Sequence, residues 1–287
     1  MQSIHSVFVT GATGNQGGSV ARNLAARGVR VRALTRDPQS ASAKALKDLG
    51  IEVVKGDLNE PESYKEYLKD VDGVFSVQHF TDGVEKEVRQ GMLLADRANE
   101  NNIKHFVYSS VIGSDLNTGI PHWESKYKIE QHIKAADIPH TILRPTFFYE
   151  NFQLPQVKSR ILKGKLVAPL DKEKVQQLIS AEDVGMVSGI IFMNPDKYLS
   201  KTITLAAEEM SQEEIARVFT DVLGKEIKFS KLPGIITRLA MGKDLHKMFK
   251  WLNSNDACFV KDMNGLKREF PDMINLRDWI KMKFNKS

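Results

Sequence analysis

The chain has 287 residues, of which 41% are hydrophobic and 27% charged, with 41 Lys and Arg against 36 Asp and Glu for a formal net charge of +5. That size and balance exclude a long disordered protein and allow one large domain or a main domain with a smaller partner. A single cysteine, Cys258, excludes an intrachain disulfide or a cysteine-based metal site and makes the cytoplasm the default expectation.

The N-terminal stretch MQSIHSVFVTGATG runs into a strand pattern without the basic and apolar regions of a signal peptide, so export by that route is not expected. The least polar stretch near the middle, VGMVSGIIFM, is too short to cross a bilayer, so no membrane partner is expected. Short β-branched runs at 6–10, 29–35, 52–55, 73–77, 105–109 and 140–143 read as strands, separated by helix-period segments at 19–27 and 84–101. This alternation predicts an α/β, Rossmann-type doubly wound parallel sheet. From Asn151 the pattern becomes mixed. A further βα-like piece, QLISAEDVGMVSGIIFM, and a strand, KTITLAA, precede Ser211, which with Glu214 forms a capping box for a helix at 212–223. The expected organisation is a nucleotide-binding domain at 1–152, with 177–206 returning to it, and a smaller α+β domain within 153–287.

The most specific motif is the first one. In SVFVTGATGNQGGSVARNLAARG, Gly11, Gly14 and Gly17 follow a strand and open a helix. Gly11 suits a tight turn, Gly14 lets the backbone approach a pyrophosphate, Gly17 allows close helix–strand packing, and the helix N-terminus offers N–H groups to phosphate. Thr13, Asn15 and Gln16 complete the candidate loop. Strand two ends in Arg36 rather than an acidic residue, which favours NADP(H) over NAD(H) because a guanidinium can pair with a ribose 2′-phosphate. A salt bridge to the adjacent Asp37 is the competing reading.

TGATGNQGG, the Gly56–Asp57 pair, FVYSSV at 106–111, HWESKYKIEQ at 122–131 and LRPTFFYEN at 143–151 together resemble the NmrA-like atypical short-chain dehydrogenase/reductases. The likeness is nearest to the NADPH-sensing members, with quinone reductases and isoflavone-reductase-like enzymes as wider relatives. The resemblance implies Asp57 near the adenine, Ser76, Val77 and Gln78 along the cofactor, Pro145 close to the nicotinamide and Ser110 at the catalytic serine position. Typical members use a Tyr-x-x-x-Lys pair, the tyrosine as general acid/base and the lysine on the nicotinamide ribose. Lys126 fits the lysine, but His122 stands where the tyrosine belongs. Tyr127 lies about 100° around a helix from Lys126 and does not replace it. A tyrosine-dependent ketone reduction is therefore not expected, while catalysis by Lys126, with His122 and Ser110 as further candidates, stays open. Phe80, Phe147, Phe148, Tyr149 and Phe152 are candidates for an apolar substrate pocket, in competition with a role as core.

A G-x-S-x-G elbow, a P-loop ending and metal-ligand spacing are all missing from the sequence, so no metal is expected. The charge is unevenly placed. Through Pro155 there are 18 basic and 19 acidic residues, leaving 23 and 17 for the remainder. Within 225–250, Lys243, Lys247 and Lys250 share one helical face, off which Leu245, Met248, Phe249 and Leu252 mostly lie, which reads as a solvated amphipathic helix or a docking surface for an acidic protein. No nucleic-acid motif accompanies it. Two functions remain open: an NADP(H)-binding regulator, and an NADPH-dependent reductase of quinone-like or other small apolar carbonyl or enone substrates.

Overall fold

The computed structural model describes residues 3–284. The strands of the first half are β1 (Ser6–Val9), β2 (Arg30–Thr35), β3 (Glu52–Lys55), β4 (Gly73–Ser76), β5 (His105–Ser109) and β6 (His140–Pro145). Between them lie helices α1 (Asn15–Ala26), α2 (Ala41–Asp48), α3 (Val84–Glu100) and α4 (Pro121–Ala135). The second half contributes β7 (Phe147–Phe148), α5 (Pro155–Leu162), β8 (Lys165–Ala168), β9 (Val175–Ile179), α6 (Ala181–Met193), α7 (Pro195–Tyr198) and β10 (Lys201–Leu205). It ends with β11 (Glu208–Ser211), α8 (Gln212–Leu223), β12 (Lys228–Lys231), α9 (Gly234–Ser254), α10 (Met263–Glu269) and α11 (Leu276–Phe284).

The large sheet has the order β10-β6-β5-β4-β1-β2-β3, and β1 to β6 pair in parallel throughout. Parallel strands need crossovers, so helices cover both faces. On one face Phe8, Val74, Phe106, Tyr108 and Ile142 pack against Leu94, Ala95 and Ala98 of α3 and Ile129 and Ile133 of α4. On α1, Ser19 donates a hydrogen bond to Glu182 Oε2 of α6 at 2.8 Å, and Arg22 pairs with the same carboxylate at 2.7 Å. Strand order reverses between β1 and β4, so the loops after these two strands diverge at the carboxyl edge and leave a crevice there.

The chain divides into two compact units, Met1–Arg144 with Ala181–Ile203, and Pro145–Ser180 with Thr204–Ser287. The segment returning to the first unit starts at Ala181 rather than at 177, because β9 is claimed by the second unit: it pairs antiparallel with β11 and parallel with β7. The earlier boundary falls at Arg144 rather than 152 for a related reason. Tyr149 and Phe152, with Phe147 packed against them, join the second unit's core with Phe219, Trp279 and Phe284. Ser211 and Glu214 form both halves of the capping box that opens α8. In α9 the expected amphipathic pattern holds beyond Gly242, with Phe249 and Leu252 buried and Lys243, Lys247 and Lys250 exposed. Gly242 itself is non-helical (φ 83°) and sets off a preceding turn of helix that the charge pattern had not marked. No helix among the described residues is long and apolar enough to cross a membrane.

One buried polar group in the sheet couples the fold to pH. His105 is fully buried on β5, and its Nε2 lies 2.8 Å from Thr141 Oγ1, whose own hydroxyl proton goes to Tyr198 O. The ring is thus the neutral Nε2–H tautomer. Burial, then the nearby His140, pushes its pKa from 6.5 down to about 4. The unfolded chain takes up a proton below about pH 6.5 that the native ring resists until about pH 4, so stability present above 6.5 is lost as the pH falls through that window. Urea titrations across this range should show a loss approaching about 3 kcal/mol in excess of that in a His105→Gln variant. Parallel pH profiles for the two proteins would contradict the assignment.

Candidate functional site

The cradle begins where β1 ends. Thr10 Oγ1 donates to Val77 O at 3.2 Å and accepts from Val77 N–H at 2.9 Å, clamping the ends of β1 and β4 side by side. Gly11 then turns with φ +60°, and α1 starts within four residues. At Gly17 the helix runs so close to the strand end that a Cβ would sit 2.3 Å from Thr10 O and 2.5 Å from Gly11 C. The first helical hydrogen bond comes from Gly18 N–H to Gly14 O at 3.0 Å, so the N–H groups of Asn15, Gln16 and Gly17 have no acceptor in the helix. The first turn carries no acidic side chain. Thr13, Gly14 and Asn15 are exposed, and Gln16 is held by Ser109 Oγ, which donates to its Oε1 at 2.6 Å. A helix terminus with unclaimed amides and no acidic side chain in its first turn has the chemistry to receive an anion.

The other edge loops sit at the same ends of their strands. Arg36, immediately after β2, is exposed and has no ion pair or hydrogen bond among the described residues; the Asp37 carboxylate instead accepts from Gln39 N–H at 2.9 Å. The competing Arg36–Asp37 salt bridge is therefore not present. Asp57 follows β3, its Oδ1 accepting from Asn59 N and Nδ2 at 2.9 and 2.7 Å. Ser76 closes β4, and its Oγ accepts from Gln78 Nε2 at 2.9 Å. Pro145 is the last residue of β6, buried, and belongs to the second unit.

The candidate catalytic side chains are separated by their partners. Lys126, on the second turn of α4, donates to Gln78 O at 3.3 Å and pairs with the fully buried Glu87 at 3.0 Å. Ser110 donates to Glu130 Oε1 at 2.5 Å, joined there by Ser114 at 2.8 Å. Arg144 grips the same carboxylate through Nε and Nη2 at 3.0 and 2.6 Å and reaches Asp115 at 2.6 Å. Burial opposes the Arg144 charge, and the Glu130 and Asp115 carboxylates more than restore it, leaving its pKa above the usual value. His122 lies one turn before Lys126 on α4 and stacks on Phe80, with ring centroids 4.6 Å apart. The i, i+4 relation of His122 and Lys126 on one helix holds, and Tyr127 is half-exposed on another face. Tyr108 lies under Lys126, Nζ being 5.7 Å from the ring centroid. Burial, then Glu87 and Glu130, pushes its phenol well above the ordinary range, so it stays neutral.

Of the aromatic pocket candidates, Phe80, Phe147 and Phe148 are half-exposed. Tyr149 and Phe152 are buried against Trp279 and Phe219 at centroid distances of 5.5 and 5.2 Å, so they build core and do not line a pocket. Sequence reasoning missed Glu87, Ser125, Glu130 and Arg144. Arg144 carried a signal, a charge in the otherwise apolar strand HTILRP, which demands a buried counter-charge. Glu87 carried none, because an acidic residue in a helix's first turn reads as exposed dipole pairing. Among the described residues no group of His, Cys, Asp and Glu is arranged to hold a metal ion.

A parallel sheet that reverses strand order beside a glycine-lined helix terminus defines a Rossmann-type nucleotide-binding fold. The chain belongs to the NmrA-like family, whose profile matches residues 4–273. An NmrA-like family domain-containing protein of Dictyostelium discoideum is 30% identical over 238 residues, covering 78% of this chain and 79% of the relative. Among solved structures, Citrobacter sp. triphenylmethane reductase complexed with NADP(H) has a TM-score of 0.81 at 21% identity, covering 96% of this chain and 99% of that one. NmrA, a negative transcriptional regulator, in complex with NADP has a TM-score of 0.81 at 18% identity, covering 100% and 99%. These likenesses establish the shared fold.

The cluster around Glu130 makes a direct prediction. Arg144→Met leaves a buried carboxylate without its cation and should cost about 3–5 kcal/mol in urea unfolding, while Arg144→Met combined with Glu130→Met should recover most of that loss. Equal losses for the single and double variants would contradict the pairing.

Proposed function

We propose that this protein is an NADP(H)-binding regulator that has given up tyrosine-dependent reduction. The observation that carries this reading is the Ser110 hydroxyl committed to Glu130 at 2.5 Å, together with His122 stacked on Phe80 at the tyrosine position. In this reading the Ser110 hydroxyl is spent on Glu130 and does not serve a proton relay. The residues present fit the dinucleotide: the backbone is pared to hydrogen at Gly17, and three outward amides stand at the α1 terminus. In this reading the amides of Asn15, Gln16 and Gly17 hold the pyrophosphate, Arg36 the 2′-phosphate, Asp57 the adenosine end and Lys126 the nicotinamide ribose. When bound, NADPH supplies a nicotinamide able to donate hydride.

A regulator needs an output surface, and α9 supports one. Ile235 and Leu239 are 78% and 81% exposed, Ile236 and Met241 are also exposed, and Arg238, Lys243 and Lys250 of the same segment are exposed without an ion-pair partner among the described residues. Exposed apolar side chains and unpaired cations on one segment suit an acidic, amphipathic segment of another protein. The second reading, a reductase of quinone-like or other small apolar carbonyl or enone substrates, is favoured by one observation. The half-exposed Phe80 ring lies two residues from Gln78, the Lys126 acceptor, and offers an apolar wall there.

Isothermal titration should find NADPH bound more tightly than NADH. Arg36→Ala should shrink the difference by about 10- to 100-fold, as expected for the loss of a charged hydrogen bond; equal affinities in the unaltered protein would contradict the role given to Arg36. Incubation with NADPH and a panel of quinones and enones should leave the nicotinamide absorbance unchanged. Turnover that disappears in Lys126→Ala would instead establish the reductase reading.

A further inference from the structure

Glu87 is a charged residue with no contact to water. It sits in the first turn of α3 and is 0% exposed, an arrangement that persists only when a counter-charge and hydrogen bonds satisfy the carboxylate. The counter-charge and one hydrogen bond come from consecutive residues of α4, with Oε1 held by the ion pair alone. Lys126 Nζ lies 3.0 Å from Oε1, and Ser125 Oγ donates to Oε2 at 2.5 Å. The ammonium is fixed from a second direction by Gln78 O at 3.3 Å, on the loop that leaves β4 at the carboxyl edge, and from below by the Tyr108 ring.

The lysine stem is flexible and loses about 2 kcal/mol of rotamer freedom when its head is fixed, so a residue that fixes it beforehand removes that cost from ligand binding. In the family pattern a tyrosine one turn away stands beside this lysine. Here His122 occupies that place and stacks on Phe80. The carboxylate on α3 is the ionic partner of the lysine head among the described residues.

We propose that Glu87 is the positioning residue for Lys126: its carboxylate, oriented by Ser125, holds the ammonium at the cofactor edge so that Lys126 meets the nicotinamide ribose already in place. This inference rests on the reading of Lys126 as a cofactor-holding residue. It assigns the α3 terminus, outside every motif of the loop, a direct effect on nucleotide affinity.

The test is a double-variant cycle read by NADPH titration of the full-length protein, with thermal denaturation to verify folding. Glu87→Gln keeps the size and an acceptor for Ser125 but removes the charge, and should weaken NADPH binding about tenfold. Glu87→Asp, which keeps the charge, should recover part of that affinity. In a Lys126→Met background, Glu87→Gln should have no further effect on the dissociation constant. If Glu87→Gln fails to fold, Ser125→Ala takes its place, with a smaller weakening that also vanishes in the Lys126→Met background. Wild-type affinity in Glu87→Gln, or an equal weakening with and without Lys126, would overturn the positioning role while leaving the cofactor reading intact. Absence of NADPH binding by the unaltered protein would overturn the cofactor reading, and this role with it.

Discussion

The close approach of α1 to the end of β1 is the constraint on which the site depends. With only hydrogen at position 17, the first turn of α1 passes so close to the chain leaving β1 that a Cβ there would collide with Thr10 O. That contact fixes the first turn of α1 against the end of β1. The Thr10–Val77 clamp holds the end of β4 beside the same strand end.

Two buried carboxylates give α4 its character, and they serve different ends. Glu130 accepts from Arg144, Ser110 and Ser114, a network that ties the ends of β5 and β6 to α4. Glu87 has one cation and one hydroxyl, and its cation also reaches the edge loop through Gln78 O. The first arrangement is closed on itself. The second ties the ammonium to the loop after β4, so the two glutamates, on α3 and α4, lead to different assignments.

The alternation of strands and helices, the glycine loop and the helix cap at Ser211 were legible in the sequence because each is local: strand periodicity, a glycine spacing and a capping box are written in neighbouring residues. Residues whose roles depend on distant partners were not legible. The hydrogen bond that Ser110 donates to Glu130, twenty residues on, has no mark in the sequence around the serine. Tyr149 and Phe152 sit in a run of aromatics at the right edge of the sheet, yet Trp279 and Phe219, from the far end of the chain, bury them. The piece at 177–180 looked like part of the returning βα unit, and its ladder partners at 147–148 and 208–211 place it elsewhere.

The central claim is that the α1 terminus holds the phosphates of NADP(H). Amide chemical shifts and hydrogen exchange of a uniformly labelled sample, recorded with and without NADPH, test it most directly. The account predicts that NADPH shifts and protects the amides of Asn15, Gln16 and Gly17, with further changes at Arg36 and at 76–78. Saturation with NADPH that leaves the amides of residues 15–17 unchanged would contradict it.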